Sequence, residues 1–286
     1  MAFVEHIVVG GAVMLLTVFV CVLMEQIAVI ERYSLRSRVP GIAMNIALLA
    51  LTPVFAWPIK QLWVWLGVAP LVTIPLWHWL EPLGTTGYVL QCFAAIALMD
   101  FLTYWRHRAE HRWFWPIHAV HHSPTELHAA NNIGHPAQVW ADILFLSIPL
   151  SIVQFDHLVT PVMVSFVLSL LTYYIHSPID VHYGWLRCVL VDNRFHRIHH
   201  SVEERHFDKN FGICFSFWDR LFGTAFDPAH NEWPQVGIVE APAPSRVAEM
   251  LMMPIHIFRA MSRKDETASR QEELSPCPPA DPATAQ

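Results

Sequence analysis

The chain is short of charge. Of its 286 residues only 15% are Asp, Glu, Lys or Arg, against about a quarter in an average soluble chain. That scarcity argues against a disordered chain, a coiled coil and an ordinary soluble enzyme. Positive charge is shorter still: 18 Lys and Arg stand against 24 Asp and Glu, a formal net charge of −6. The lack of a basic excess to neutralise phosphates argues against a nucleic-acid binder. Cysteine numbers five, at positions 21, 92, 188, 214 and 277, and none forms a C-x-x-C pair. That argues against a disulfide framework, a zinc ribbon and an iron–sulfur centre. No glycine-rich dinucleotide fingerprint follows a strand.

What is abundant is apolar. Hydrophobic residues make up 54% of the chain, with 12 Trp and 21 Pro, and the mean hydropathy is +0.35. Trp gathers at bilayer interfaces, and about 20 mostly apolar residues cross a bilayer as a helix. The first such run, Ile7–Ile30, lacks a basic leader and a cleavage site and reads as a retained span. Arg32, Arg36 and Arg38 follow it and place the loop in the cytosol. Gly41–Ile59, interrupted by Pro53 and Pro58, returns outward. Tyr88–Trp105 leads into Arg106, Arg108 and Arg112 and therefore ends in the cytosol. Parity then leaves Gln61–Leu80, with Trp63, Trp65, Trp77, Trp79, Pro70 and Pro75, as a re-entrant or interfacial segment. Val139–Phe155 and Leu158–Ile175 form a hairpin turning at Phe155-Asp156-His157.

The expected fold is an all-α integral membrane protein of about five transmembrane helices plus that interfacial segment, capped on the cytosolic side by a helical histidine-box region. Residues 1–99 hold the N-terminal spans, and residues 100–237 the catalytic region, with the hairpin at about 139–176. Residues 238–261 include an amphipathic surface segment, Val247–Met261, and residues 262–286 read as a disordered tail.

The 18 His are clustered. His107 and His111 are four residues apart and share a helix face. His118, His121 and His122 form an H-x-x-H-H pattern behind Pro116, which suits a helix start. His196, His199 and His200 repeat the pattern. His135 and His176 stand at expected membrane–cytosol boundaries. One H-x-x-x-H is common by chance, but two H-x-x-H-H boxes beside it on one membrane face are not. Neutral imidazole binds Fe, Cu, Zn and Ni. The histidines in the three boxes are too many for one metal and suit two. Structural zinc would recruit Cys. A carboxylate-bridged di-iron bundle would need inward Glu pairs, and Glu110 is the only carboxylate inside a box. His6, His78, His128, His157, His206, His230 and His256 read as surface or hydrogen-bonding residues, and His182 stays open.

These boxes resemble those of the fatty acid hydroxylase / sterol desaturase superfamily of membrane non-haem di-iron enzymes. The flanks are similar too: Asp100-Phe101-Leu102-Thr103-Tyr104-Trp105-Arg106 before the first box, and Asn210-Phe211-Gly212 and Trp218-Asp219-Arg220-Leu221-Phe222-Gly223-Thr224 after the last. The likeness covers about residues 100–225. It implies a ligand role for His176, although the family's H-S-N is His176-Ser177-Pro178 here, and Asp192-Asn193 replaces a Thr-Pro before the third box. His135-Pro136 matches a family His-Pro after the second box. The implied metal set is His107, His111, His118, His121, His122, His135, His176, His196, His199 and His200, holding two iron ions.

The implied reaction is O₂-dependent oxidation of a lipid C–H bond, by hydroxylation or desaturation, with electrons from a separate ferredoxin or cytochrome b5-like carrier. The basic residues Arg106, Arg108, Arg112, Arg194 and Arg197 form a candidate docking face for an acidic carrier, or sit at the headgroups. Asp100, Glu110, Glu126, Asp192 and Asp219 are candidate acceptors for imidazole N–H groups. Among them Asp100, alone within an apolar run, calls for a partner. The competing reading is a non-enzymatic membrane protein that binds metal or haem.

Overall fold

Backbone groups in an apolar environment must pair internally, and a helix pairs them along its own length. In a computed structural model of the chain, which describes residues 2–27, 29–67, 69–155 and 162–274, the apolar runs are accordingly helices. In chain order they are α1 Ala2–Met24, α2 Leu35–Trp65, α3 Leu76–Leu80 and α4 Thr85–Trp113. α5, Trp115–His122, follows at once. Then come α6 Val139–Asp142, a π-helical turn at Ile143–Ser147, and α7 Ile148–Ile152. α8 is Val162–Tyr174, α9 Asn193–His199, α10 Phe217–Leu221 and α11 Val247–Leu274.

α2 and α4 are long and apolar enough to cross a membrane, and Val8–Met24 and Pro136–Ile152 are shorter apolar helical stretches. Phe19, Val54, Trp57 and Phe93 are exposed on this bundle, as befits a surface facing hydrocarbon rather than water. α1 packs on α8 and α2, and the broken helix α6–α7 lies against α2 and α4. The polar end is built on two apolar clusters. Cys21, Tyr174, Ile175, Ile179 and Phe195 form one; Met44, Val120, Ile133, Met250, Met253 and Ile257 form the other.

Several expectations are corrected. The first helix stops at Met24 rather than Ile30, because Glu25 turns inward. α2 runs unbroken through Pro53 and Pro58, since in an apolar setting a lost hydrogen bond is tolerated more readily than a broken helix. Gln61–Leu80 is not one segment. Its start completes α2, a strand β1 (Val72–Ile74) follows, and α3 ends it. β1 pairs in parallel with β2, Val153–Phe155, with Thr73 opposite Gln154, so the fold is mostly rather than wholly helical. α4 carries the first histidine box as a direct continuation of its apolar run, with no break at Trp105. α11 extends past Met261 to Leu274, so the start of the expected tail is helical. The expected turn at Asp156-His157, the side chain of His6 and residues 275–286 lie outside the described residues.

The junction of α1 and α2 is held by a buried ion pair. Arg38 donates to Glu25, and both side chains are almost fully buried. The other Glu25 oxygen accepts from the backbone N–H of Ala129 at 3.0 Å, tying the helix junction to the segment after the second box. Gly41 lets α2 approach that segment: a Cβ there would lie 2.2 Å from the Ala130 carbonyl oxygen. Removing one partner of a buried pair leaves an uncompensated charge and costs about 3–5 kcal/mol. Glu25→Ala is therefore expected to lower the unfolding temperature of the detergent-solubilised protein markedly in a thermal melt, and Asp227→Ala, at an exposed pair with Arg220, far less.

Candidate metal centre

Helical periodicity deals the histidines into two sets. Residues i and i+4 share a face, while i+3 lies to one side of both. Nine imidazoles accordingly form two groups, within each of which the ligand atoms lie within 4.8 Å of one another. One group is His107, His111, His118, His122 and His199; the other is His121, His176, His196 and His200. Each H-x-x-H-H box thus splits. The second box gives its i, i+4 pair, His118 and His122, to the five-histidine group and His121 to the other. The third box does the reverse, giving His196 and His200 to the four-histidine group and His199 across. His107 and His111 on α4 complete the first group, and His176, just past α8, completes the second.

His135 is not brought into either group. It caps the following 3₁₀ turn, with Nδ1 accepting from Ala137 N–H at 3.1 Å, and Nε2 lies 3.4 Å from the Leu251 carbonyl. His182 stacks on His230, at 4.6 Å between ring centres, apart from both groups. His206 is bound between Ser201 Oγ and Glu232.

Outer hydrogen bonds orient the rings. Nδ1–H of His107 donates to Phe211 O at 2.9 Å, that of His121 to Ile133 O at 2.9 Å, that of His176 to Thr172 O at 2.7 Å and that of His199 to Lys209 O at 2.8 Å. A carbonyl only accepts, so in these four rings the proton sits on Nδ1 and the Nε2 lone pair faces inward. His121 and His176 then bring two unprotonated Nε2 atoms within 3.3 Å, and His199 Nε2 is buried with no hydrogen-bond partner. Facing lone pairs repel unless a cation lies between them. The donor set fits a pair of transition-metal ions. Burial, with the neighbouring imidazoles, holds His118, His122, His196, His199 and His200 well below the ordinary imidazole value, and pushes His121 down to about 4 and His176 to about 3. The rings are neutral, the form that binds metal.

The carboxylates divide differently from expectation. Asp100 has partners, but they are backbone: it accepts from Cys214 and Phe215 N–H, both at 2.9 Å. Asp219 likewise takes Phe211 and Gly212 N–H, both at 2.8 Å. Asp192 caps α9 by accepting from Phe195 N–H. Glu110 does reach an imidazole, 3.2 Å from His118 Nδ1, while paired with Arg106. Asp208, which carried no sequence signal beyond lying between the third box and its Asn-Phe-Gly flank, stands 3.3 Å from His111 Nδ1. The backbone acceptors have no residue-type signature at all. The two departures around His176 meet in space: Asn193 donates to the carbonyls of Ser177 and Ile179, placing an amide beside the segment where Pro178 offers none.

A cavity of about 270 Å³ adjoins both groups on the side of the long apolar helices, lined among others by Asn45, His107, His118, His121, Tyr173 and His176. A second, of about 370 Å³, reaches His111, His122 and His199 alone, between Trp115, Phe207 and Val239. Of the expected basic docking face, Arg106, Arg194 and Arg197 are engaged by Glu110 and Asp142, Asp180 and Glu31. Arg112 is exposed.

Fold and site together define a membrane protein with a histidine-rich site of metal-binding composition. Residues 92–224 match the fatty acid hydroxylase family model, which supports the resemblance to the fatty acid hydroxylase / sterol desaturase superfamily. It is 28% identical over 64% of its length to an ornithine lipid hydroxylase of Rhizobium tropici, covering 55% of that protein. It is 30% identical over 46% of its length to the alkylglycerol monooxygenase of Homo sapiens, covering 30% of it. It is 32% identical over 54% of its length to a very-long-chain aldehyde decarbonylase of Oryza sativa, covering 57% of it. The chain thus spans little more than half, or less, of the curated relatives it matches. No solved structure gives a significant match.

Substitution tests the placement. His199→Ala and His121→Ala are expected each to lower the metal bound by the purified protein. His135→Ala and His230→Ala should leave it unchanged, as read by elemental mass spectrometry.

Proposed function

We propose that the protein is a multi-pass membrane oxidoreductase that uses two irons and O₂ to oxidise a C–H bond of a lipid. The observation that carries this reading is the division of nine inward-facing imidazoles into a five and a four, both bordering one cavity on the apolar-helix side. The matched family and relatives named as lipid hydroxylase, monooxygenase and decarbonylase support the lipid as substrate class. In this reading His107, His111, His118, His122 and His199 hold one iron and His121, His176, His196 and His200 the other, while His135 lines the cavity.

Bound iron would supply the O₂ chemistry. The chain's own residues do the rest. The Phe211, Ile133, Thr172 and Lys209 carbonyls keep their rings in the Nδ1–H form, so the site is pre-organised. Asn45, His107, Tyr173 and Ile213 are among the walls of the cavity that would orient a lipid segment. Hydroxylation balances as C–H plus O₂ plus two electrons and two protons giving C–OH and water. Desaturation consumes the same electrons and O₂ and releases two waters. Both need an external electron donor, proposed to be a ferredoxin or a cytochrome b5-like protein. The apolar helices α1, α2, α4, α6–α7 and α8 would supply five spans, with the boxes on the cytosolic face.

Lipid extracts of cells with and without the protein, grown under ¹⁸O₂, test the reading. The expected result is a lipid carrying one ¹⁸O, or one new double bond, that vanishes in His121→Ala. Identical lipid profiles under ample iron and reductant would contradict it.

A further inference from the structure

One loop serves the five-histidine group alone. Asp208 presents its carboxylate to His111 at 3.3 Å, Lys209 its carbonyl to His199 at 2.8 Å, and Phe211 its carbonyl to His107 at 2.9 Å. Three of the five rings therefore take their outer hydrogen bond from four consecutive residues. In the four-histidine group His121 and His176 take theirs from elsewhere, Ile133 and Thr172, and the outer nitrogens of His196 and His200 are buried without a hydrogen-bond partner among the described residues.

The loop is held in a conformation that few sequences adopt. Asp208 and Asn210 are left-handed, with φ of 56° and 59°, and Asn and Asp tolerate that region best among residues with a Cβ. Asn210, fully buried, is clamped on both sides of its amide. Its Nδ2 donates to Phe195 O at 2.8 Å and Phe226 O at 2.9 Å, and its Oδ1 accepts from Phe226 N–H at 2.7 Å. Phe195 lies on α9, between the last capping residue and His196, so the clamp ties the loop to the third box. Asp219 fixes the far end through Phe211 and Gly212 N–H, and Thr224 Oγ1 donates to it at 2.7 Å. A Cβ at Gly212 would lie 2.6 Å from Phe215 O, so no larger residue fits there.

We propose that the Asp208–Gly212 loop is a template that orients the five-histidine position selectively, with Asn210 as its positioning residue and Asp208 as a carboxylate that strengthens His111 as a donor. This rests on the two-metal reading above. It makes the two positions unequal: a carboxylate on Nδ1 raises imidazole basicity, and within the loop's reach only the five-histidine group receives one.

The test is metal content and Mössbauer spectroscopy of iron-57-loaded protein, wild type and variants. Loss of an outer-shell partner typically weakens a metal site about 10–100-fold. Asn210→Ala should lose one iron and the same spectral doublet that His199→Ala loses, while keeping the doublet lost in His196→Ala. Asn210→Gly, which relieves the left-handed strain but deletes the clamp, should behave like Asn210→Ala. Asp208 is an exposed side chain, so Asp208→Asn and Asp208→Ala should fold and keep both irons but move only the His199-dependent doublet, with Asp208→Glu nearer to wild type. If the Asn210 variants do not fold, the Asp208 series decides alone. Equal changes in both doublets, or none in either series, would overturn the template. Wild-type protein that takes up no iron would instead overturn the two-metal reading itself.

Discussion

Unprotonated imidazole nitrogens gathered into two clusters repel one another unless a cation lies between them, and a ring turns its lone pair inward where its outer nitrogen donates to an acceptor. That requirement governs the polar half of the molecule. Three elements supply outward acceptors to five of the rings: the turn at Ile133, the last turn of α8 at Thr172, and the loop from Asp208 to Phe211. The acceptors are mostly main-chain carbonyls, whose geometry is as rigid as the backbone that carries them. A dry interior strengthens these bonds and keeps the rings neutral.

The buried carboxylates make the same point one layer out. Asp100 and Asp219 touch no histidine. They fix the backbone that does, by collecting two N–H groups each from the stretch between Phe211 and Phe215. Tyr104, one turn before His107, reaches Thr224 at 2.8 Å, and Thr224 reaches Asp219. The apolar helix α4, the last box and the closing Asp-Arg-Leu-Phe-Gly-Thr stretch are thereby one polar network. An ionisable residue in an apolar run is costly, and here the cost is offset by fixing the frame of the site.

How much of this was legible in the residues alone follows from what each signal depends on. The histidine boxes were visible because metal ligation demands a residue type at helical spacing, and nine of the ten candidates converge. The split of each box between two groups was not, since it depends on how α4, α5 and α9 cross. His135 stands apart from both groups, and His followed by Pro serves equally well as a cap for a 3₁₀ turn. Asp100 was rightly singled out as needing a partner, but backbone N–H groups leave no trace in sequence. Apolar runs foretold the long helices. Their ends failed where a local feature was overridden in three dimensions: Glu25 buried on Arg38, Pro53 and Pro58 inside α2, and a short β1–β2 ladder joining segments some 80 residues apart.

The central claim is that the two groups each hold a metal ion through imidazole nitrogen. Elemental analysis of the protein purified gently in detergent with iron supplied, together with a visible spectrum and iron-edge X-ray absorption, tests it most directly. The account predicts two irons per chain, a first shell of nitrogen and oxygen without sulfur, and no haem band. A single zinc, a haem band, or a chain that binds no metal would contradict it.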